Sequence, residues 1–191
     1  MKRWLSLVLA FSALGAANAS AKEAQVGIAA YAGWSVPVLQ DVNVSNFKPS
    51  DAFGPSGSTW GFRVPVKAIP VVVLEPFYAQ ENYQDDTETF NGLSYERQGF
   101  DGKSFGINAL FGDIFHRGFK VYPLVGFGKT KLTRTGEEIN ERTWNFGLGF
   151  GFPLAHKISF HIRGQVDMVI TDSTSRKFAD ATAGIQYNIL Q

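Results

Sequence analysis

The chain has 191 residues, with 18 basic and 17 acidic side chains and a formal charge of +1. That balance offers no electrostatic footprint for nucleic acid, and the length suits one domain. Cysteine is absent, which removes disulfides and thiolate chemistry, while aromatic residues reach 14% against only 18% charged.

The chain opens with "MKRWLSLVLAFSALGAANASA". Lys2 and Arg3 form a positive start, an apolar stretch follows from Trp4, and Ala19-Ser20-Ala21 offers a small-residue cleavage site. This is the pattern of a secretory signal peptide over residues 1–21, leaving a mature domain over residues 22–191. Taking Lys2 and Arg3 from the 18 basic residues leaves 16 against 17 acidic ones. No later segment is apolar for long enough to cross a bilayer as a helix.

Beyond the leader, apolar and polar residues alternate with period two, and the spacing predicts eight strands. They are Gln25–Ser35, Thr59–Ala68, Val71–Asn82, Lys103–Gly112, Phe119–Lys131, Thr143–Pro153, Lys157–Ile170 and Phe178–Leu190. The third carries Pro76, which cannot donate a ladder hydrogen bond. In "KISFHIRGQVDMVI", Ile158, Phe160, Ile162, Val166, Met168 and Ile170 share one face, and Ser159, His161, Arg163, Gln165 and Asp167 share the other. In "WNFGLGFGF", Trp144, Phe146, Leu148, Phe150 and Phe152 face one side, while Asn145, Gly147, Gly149 and Gly151 face the opposite one. The glycines read as bare wall that leaves room for large side chains from other strands, Arg163 or Tyr122. A phosphate-binding loop would need a helix after it, whereas Pro153 and a turn follow here.

Connections alternate in length. Long polar ones follow the odd-numbered strands, and the short "IP", "DIFHR" and "LAH" follow the second, fourth and sixth. In an antiparallel meander this puts large loops at one end and tight turns at the other, as in an outer-membrane barrel.

Alternation alone leaves the outward face open, because a soluble lipid-binding barrel would hide its apolar side. Three features favour lipid outside. The polar face is rich in Gly, Ser, Asn and Thr rather than in Lys and Glu. Trp34, Trp60 and Trp144 all fall at the long-loop end, where a girdle of indoles suits the membrane–water boundary. The last strand, "TAGIQYNIL", places Thr182, Gly184, Tyr187 and Ile189 in the pattern polar-x-Gly-x-x-aromatic-x-apolar. That pattern resembles the carboxyl-terminal signal read by barrel assembly machinery, although the chain ends in Leu190-Gln191 rather than an aromatic.

Taken together, the mature chain resembles the small porin-like outer-membrane barrels related to the OmpA transmembrane domain and the Ail/OmpX-type proteins. The resemblance implies an all-β fold: an eight-stranded antiparallel up-and-down transmembrane β-barrel with long extracellular loops and short periplasmic turns. It also implies outer-membrane lipids, lipopolysaccharide and the assembly machinery as partners, with no cofactor. It indicates location better than activity.

Arg63, Lys67, Glu75, His161, Arg163 and Asp167 fall on the inward face. Buried charges need partners. The expectation is a barrel-interior polar network, with Glu75 near Arg63 or Arg163 and Asp167 near an arginine. Ser159 and His161 suggest part of a hydrolytic triad. Strand positions two apart are separated by roughly 7 Å, however, and the expectation is that the two side chains do not hydrogen-bond. His116 and His156 fall in short turns, and no metal-ligand spacing is present. "YQDDTETF" gathers Asp85, Asp86 and Glu88 in a long loop, where they could hold a divalent cation between lipopolysaccharide phosphates. Lys129, Lys131 and Arg134 climb the outer rim of the fifth strand, where they either meet lipopolysaccharide phosphates or simply snorkel. The sequence thus points to a non-enzymatic envelope or adhesion protein acting through its loops. A lipid-A-modifying enzyme and a narrow channel for small solutes are the alternatives.

Overall fold

The computed structural model describes residues 25–38, 56–90, 93–97, 99–134, 137–170 and 175–190. The leader and the middle of the first long connection lie outside these residues. Among the described residues eleven strands follow in order: β1 (Val26–Val38), β2 (Gly57–Arg63), β3 (Val66–Ile69), β4 (Val72–Tyr83), β5 (Asp86–Phe90), β6 (Leu93–Arg97), β7 (Phe100–Phe111), β8 (Lys120–Arg134), β9 (Glu137–Ala155), β10 (Ile158–Ile170) and β11 (Ser175–Leu190). Every pairing is antiparallel. β11 pairs with β1 from Val26↔Leu190 to Val38↔Lys177, so the sheet closes and leaves no free edge.

β2 and β3 make one stave, giving the eight-stranded barrel. Two prolines cause the break between them. Val64 N donates to Pro76 O at 2.9 Å, but Pro76 has no N–H to return the bond. Pro65 likewise only accepts, from Gly27 N. Pro76 therefore sits inside β4, paired with Ile107 of β7, and the ladder gap falls on its neighbour.

The strands outrun their expected ends on the loop side. Lys131↔Asn140, Leu132↔Ile139, Thr133↔Glu138 and Arg134↔Glu137 continue the β8–β9 hairpin through most of "LTRTGEEINER". The acidic connection between β4 and β7 holds a separate two-stranded hairpin, β5–β6.

Outward positions are apolar and exposed. Among them are Ile28, Phe62, Leu74, Phe105, Phe127, Phe146, Leu148, Ile162, Val166 and Ile185. The buried side is dominated by polar groups, including Thr59, Arg63, Glu75, Asn108, Thr130, Thr143, Asn145, Ser159, Arg163 and Gln186. This inverts the pattern of a soluble barrel and matches one bathed in lipid. Ladder partners climb towards the loop end around the wall. The row Pro76, Ile107, Phe127, Trp144, Met168, Lys177, Val38 starts within β4 and finishes at the end of β1. The strands are therefore tilted, as closure requires. Trp34, lower on β1 than Val38, lies in the ladder row of Ala181, Gly164 and Leu148.

Candidate functional site

The interior is organised in layers. At the turn end, Val73, Leu110, Ile114, Phe115, Tyr122 and Leu124 form an apolar plug. Ile114 and Phe115 come from the β7–β8 turn, which Gly112 starts with a φ of 125°. That left-handed conformation suits glycine. Asp113 Oδ1 accepts from Phe115 N at 3.0 Å and holds the turn inward. At the loop end, Tyr83, Leu132, Val169 and Phe178 form a second plug, with Phe100 stacked on Tyr83 at 4.2 Å.

Charge lies between the plugs. Arg163 donates from both terminal nitrogens to Glu75, at 2.6 and 2.9 Å, in the two-pronged geometry that a guanidinium and a carboxylate favour. Arg63 approaches the same carboxylate at 3.9 Å, lies 3.5 Å above the Tyr31 ring, and donates to Thr182 Oγ1 at 3.2 Å. Asn108 donates to Glu75 at 3.2 Å, and Asn145 donates to Asn108 at 3.0 Å. Neither Arg163 nor Glu75 reaches solvent, with side chains 3% and 2% exposed.

Tyr122 occupies the space left by Gly149. A β-carbon added at Gly149 would overlap the Tyr122 ring. Gly61 and Gly57 stand in the same relation to the Tyr31 and Tyr83 rings. The glycines on the inner wall are thus the counter-surface for inward aromatic rings.

Three expectations need correction. Lys67 does not join the Glu75 network. It pairs with Asp113 of the β7–β8 turn at 3.1 Å, because β3 carries it to the turn end. Among the described residues, Asp167 has no arginine as a hydrogen-bond partner. It accepts from Gln165 at 2.6 Å and sits with Glu81 and Asp180, their carboxylate oxygens within 4.8 Å of one another. Tyr83 donates to Glu81 at 3.2 Å and also meets Ser35. His161 is the third, for it bonds Ser159 Oγ through Nε2 at 2.8 Å. Backbone spacing does not forbid this contact, since the imidazole reaches back along the strand. The other ring nitrogen meets the Tyr122 hydroxyl at 2.9 Å rather than a carboxylate. Ser159 and His161 are both buried, but Ser159 borders a cleft of about 240 Å³ at the turn end, with Lys120, His156 and Asn188.

Of the remaining candidates, Trp34, Trp60 and Trp144 are exposed on the outer wall, Trp34 at 69%. Thr182 faces inward, whereas Tyr187 and Ile189 are exposed. His116 and His156 are exposed, and Arg117 lies 2.7 Å from His156. Asp85 accepts from Gly99 N at 2.6 Å. The side chains of Asp86 and Glu88 lie outside the described residues, so the acidic-loop reading does too, as does the leader.

Known proteins share this architecture. A family model described as "Outer membrane protein beta-barrel domain" matches residues 6–190. The chain belongs to that outer-membrane β-barrel family. Among solved structures, Neisserial surface protein A matches this outer-membrane barrel with a TM-score of 0.61 and 11% identity, over 86% of this chain and 98% of that one. A major outer membrane protein from Thermus thermophilus matches with a TM-score of 0.53 and 12% identity, over 87% and 99%. Ail, the attachment invasion locus protein of Yersinia pestis, solved with a heparin analogue, matches with a TM-score of 0.45 and 19% identity, over 87% and 99%. No match was found among curated protein sequences. At these identities the solved structures speak for the fold of the outer-membrane barrel alone.

Proposed function

We propose that the protein is a non-enzymatic barrel of the bacterial outer membrane that acts as an envelope structure or through its surface loops. In this reading residues 1–21 direct export and are removed. The assembly machinery then recognises the last strand through Thr182, Gly184, Tyr187 and Ile189. Trp34, Trp60 and Trp144 anchor the loop-end boundary, and outer-membrane lipids, lipopolysaccharide among them, surround the wall. The observation that carries the reading is the filled interior. A fork-paired ion bridge lies between two apolar plugs, and an eight-stranded barrel has just enough width for such a filling. With the lumen occupied, the parts free to meet a partner are the wall and the loops. Membrane fractionation with gel migration before and after heating tests this. The expected result is outer-membrane recovery and heat-modifiable migration; recovery in the soluble periplasm would sink the reading.

The Ser159–His161 contact supports a second reading as a lipid-A-modifying enzyme, entered from the turn-end cleft. It lacks the carboxylate that orients the base in a triad. Mass spectra of lipid A from cells with and without the protein separate the two readings. Identical spectra favour the first, whereas a mass shift abolished by Ser159→Ala favours the second.

A further inference from the structure

We propose that the cleft at the turn end of the barrel binds a phosphate group, free or carried on a lipid, through Lys120, Ser159 and Asn188. The cleft and its donors stand on the fold alone. Only the side of the membrane that it faces rests on the outer-membrane reading.

The lining carries one sign of charge. Lys120, Ser159 and Asn188 are buried, at 7%, 2% and 4% exposed, and all three border the cleft of about 240 Å³. Arg117 and His156 border it from exposed positions in the turns. Among the described residues no aspartate or glutamate lines it. Its volume falls below the roughly 300 Å³ at which pockets for drug-sized ligands begin, which suits a group of a few heavy atoms.

Lys120 is a buried cation in need of a counter-charge. Among the described residues its ammonium group is in no salt bridge and no hydrogen bond. The carboxylate whose field reaches it, Asp113, does not line the cleft and is held by Lys67 at 3.1 Å. Burying an ammonium group is costly unless an anion meets it. The fold nevertheless makes room for this one. Lys120 and His161 are both ladder partners of Gly151, and a β-carbon at Gly151 would come within 3.1 Å of Lys120 Cδ and 3.0 Å of His161 Cε1. The bare glycine lets the lysine stem lie along the inner wall beside the imidazole.

The hydrogen-bond chain behind the cleft turns Ser159 into a donor as well. Arg163 can only donate, and it faces the Tyr122 hydroxyl at 3.5 Å. The Tyr122 hydrogen is therefore directed to its other partner, His161 Nδ1, at 2.9 Å. With Nδ1 accepting, a neutral His161 carries its hydrogen on Nε2 and donates to Ser159 Oγ at 2.8 Å. The serine hydrogen is left for a group in the cleft. Asn188 is oriented in the same sense, because its Oδ1 accepts from Gln186 at 2.7 Å and its Nδ2 hydrogens remain. An ammonium, a hydroxyl and an amide thus offer hydrogens to one small space, with the Arg117 guanidinium at its rim. Phosphate oxygens accept from all of them. The same chain points to binding rather than acyl transfer, since Ser159 receives a hydrogen from His161 instead of handing one over.

The test uses the mature barrel refolded in micelles of an uncharged detergent, in chloride buffer. NMR follows the side chains during titration with inorganic phosphate and with dihexanoyl phosphatidylglycerol. The expected result is a saturable shift of the Asn188 amide and the His156 ring. Lys120→Met should bind phosphate at least ~10-fold more weakly, a difference of about 1.4 kcal/mol, while keeping heat-modifiable migration. Without phosphate, Lys120→Met should resist urea better than wild type, because it removes an uncompensated buried charge. Phosphate should raise the urea midpoint of the wild type and not that of the variant. A general salt effect would raise both alike, and that outcome overturns the site. Shifts confined to the loop end overturn it too, as do the absence of any shift and a folded Lys120→Met that binds like wild type. If Lys120→Met does not fold, the same readings on Ser159→Ala and Asn188→Ala decide, with weaker binding expected in both. Tighter binding of phosphatidylglycerol assigns the site to a lipid headgroup, and tighter binding of inorganic phosphate assigns it to a soluble anion; either upholds the donor set. Fractionation of the unaltered chain tests the outer-membrane reading separately.

Discussion

Replacing Glu75 should damage the barrel more than replacing Arg163, although the two form one salt bridge. The reason is what each change leaves behind. Arg163→Met removes both bonds to Glu75, at 2.6 and 2.9 Å, and a longer one to the Tyr122 hydroxyl at 3.5 Å, but Glu75 keeps Arg63 at 3.9 Å and the Asn108 donor at 3.2 Å. Glu75→Gln removes the carboxylate that both guanidinium groups face, leaving Arg63 and Arg163 buried without it. Breaking a buried pair from one side costs about 3–5 kcal/mol. We therefore expect about 3 kcal/mol for Arg163→Met and about 5 kcal/mol for Glu75→Gln. The double variant should cost at least about 1 kcal/mol less than the two singles added together, as for directly coupled neighbours. The assay is urea unfolding of the barrel in lipid vesicles, followed by tryptophan fluorescence and by the heat-modifiable gel shift. If Glu75→Gln proves milder than Arg163→Met, or if both fall within about 0.5 kcal/mol of wild type, the shared-carboxylate argument is refuted.

Gly149→Ala should cost about 1–3 kcal/mol in the same assay by overpacking against the Tyr122 ring, and Tyr122→Leu in that background should recover part of the loss. Asp167→Asn should leave stability unchanged or raise it by about 1 kcal/mol, because it removes one of three crowded carboxylates without taking a partner from an arginine; a loss beyond about 2 kcal/mol, the cost of an unmade buried hydrogen bond, would contradict that account. Planar bilayers containing the wild type should show no steady openings, and a regular conductance would contradict a filled lumen.

The parts of the fold legible in the sequence are those set by single-strand alternation. Trp144, Phe146, Leu148 and Phe152 face out because they are the apolar half of a period-two run, and Arg163 faces in for the same reason. What alternation cannot supply is register, which decides which side chains meet. Glu75 and Arg163 are 88 residues apart in sequence, and nothing local pairs them. Asp167 is misread from its own strand because its neighbours Glu81 and Asp180 arrive from other strands. Polar residues hide the upward continuation of β8 and β9, where the apolar signal fades but the ladder persists. The Ser159–His161 bond escapes for a different reason: backbone spacing is a poor proxy for the reach of an imidazole.

The same limit separates the interior from the wall as places to look for function. Inside, Arg163 and Arg63 are met by Glu75, Asp167 lies against the Glu81 and Asp180 carboxylates, and an apolar cluster lies towards each end. A residue there contributes to holding the cylinder. On the wall, Lys129 and Arg142 face each other with like charge, an arrangement that does nothing for the cylinder and costs stability.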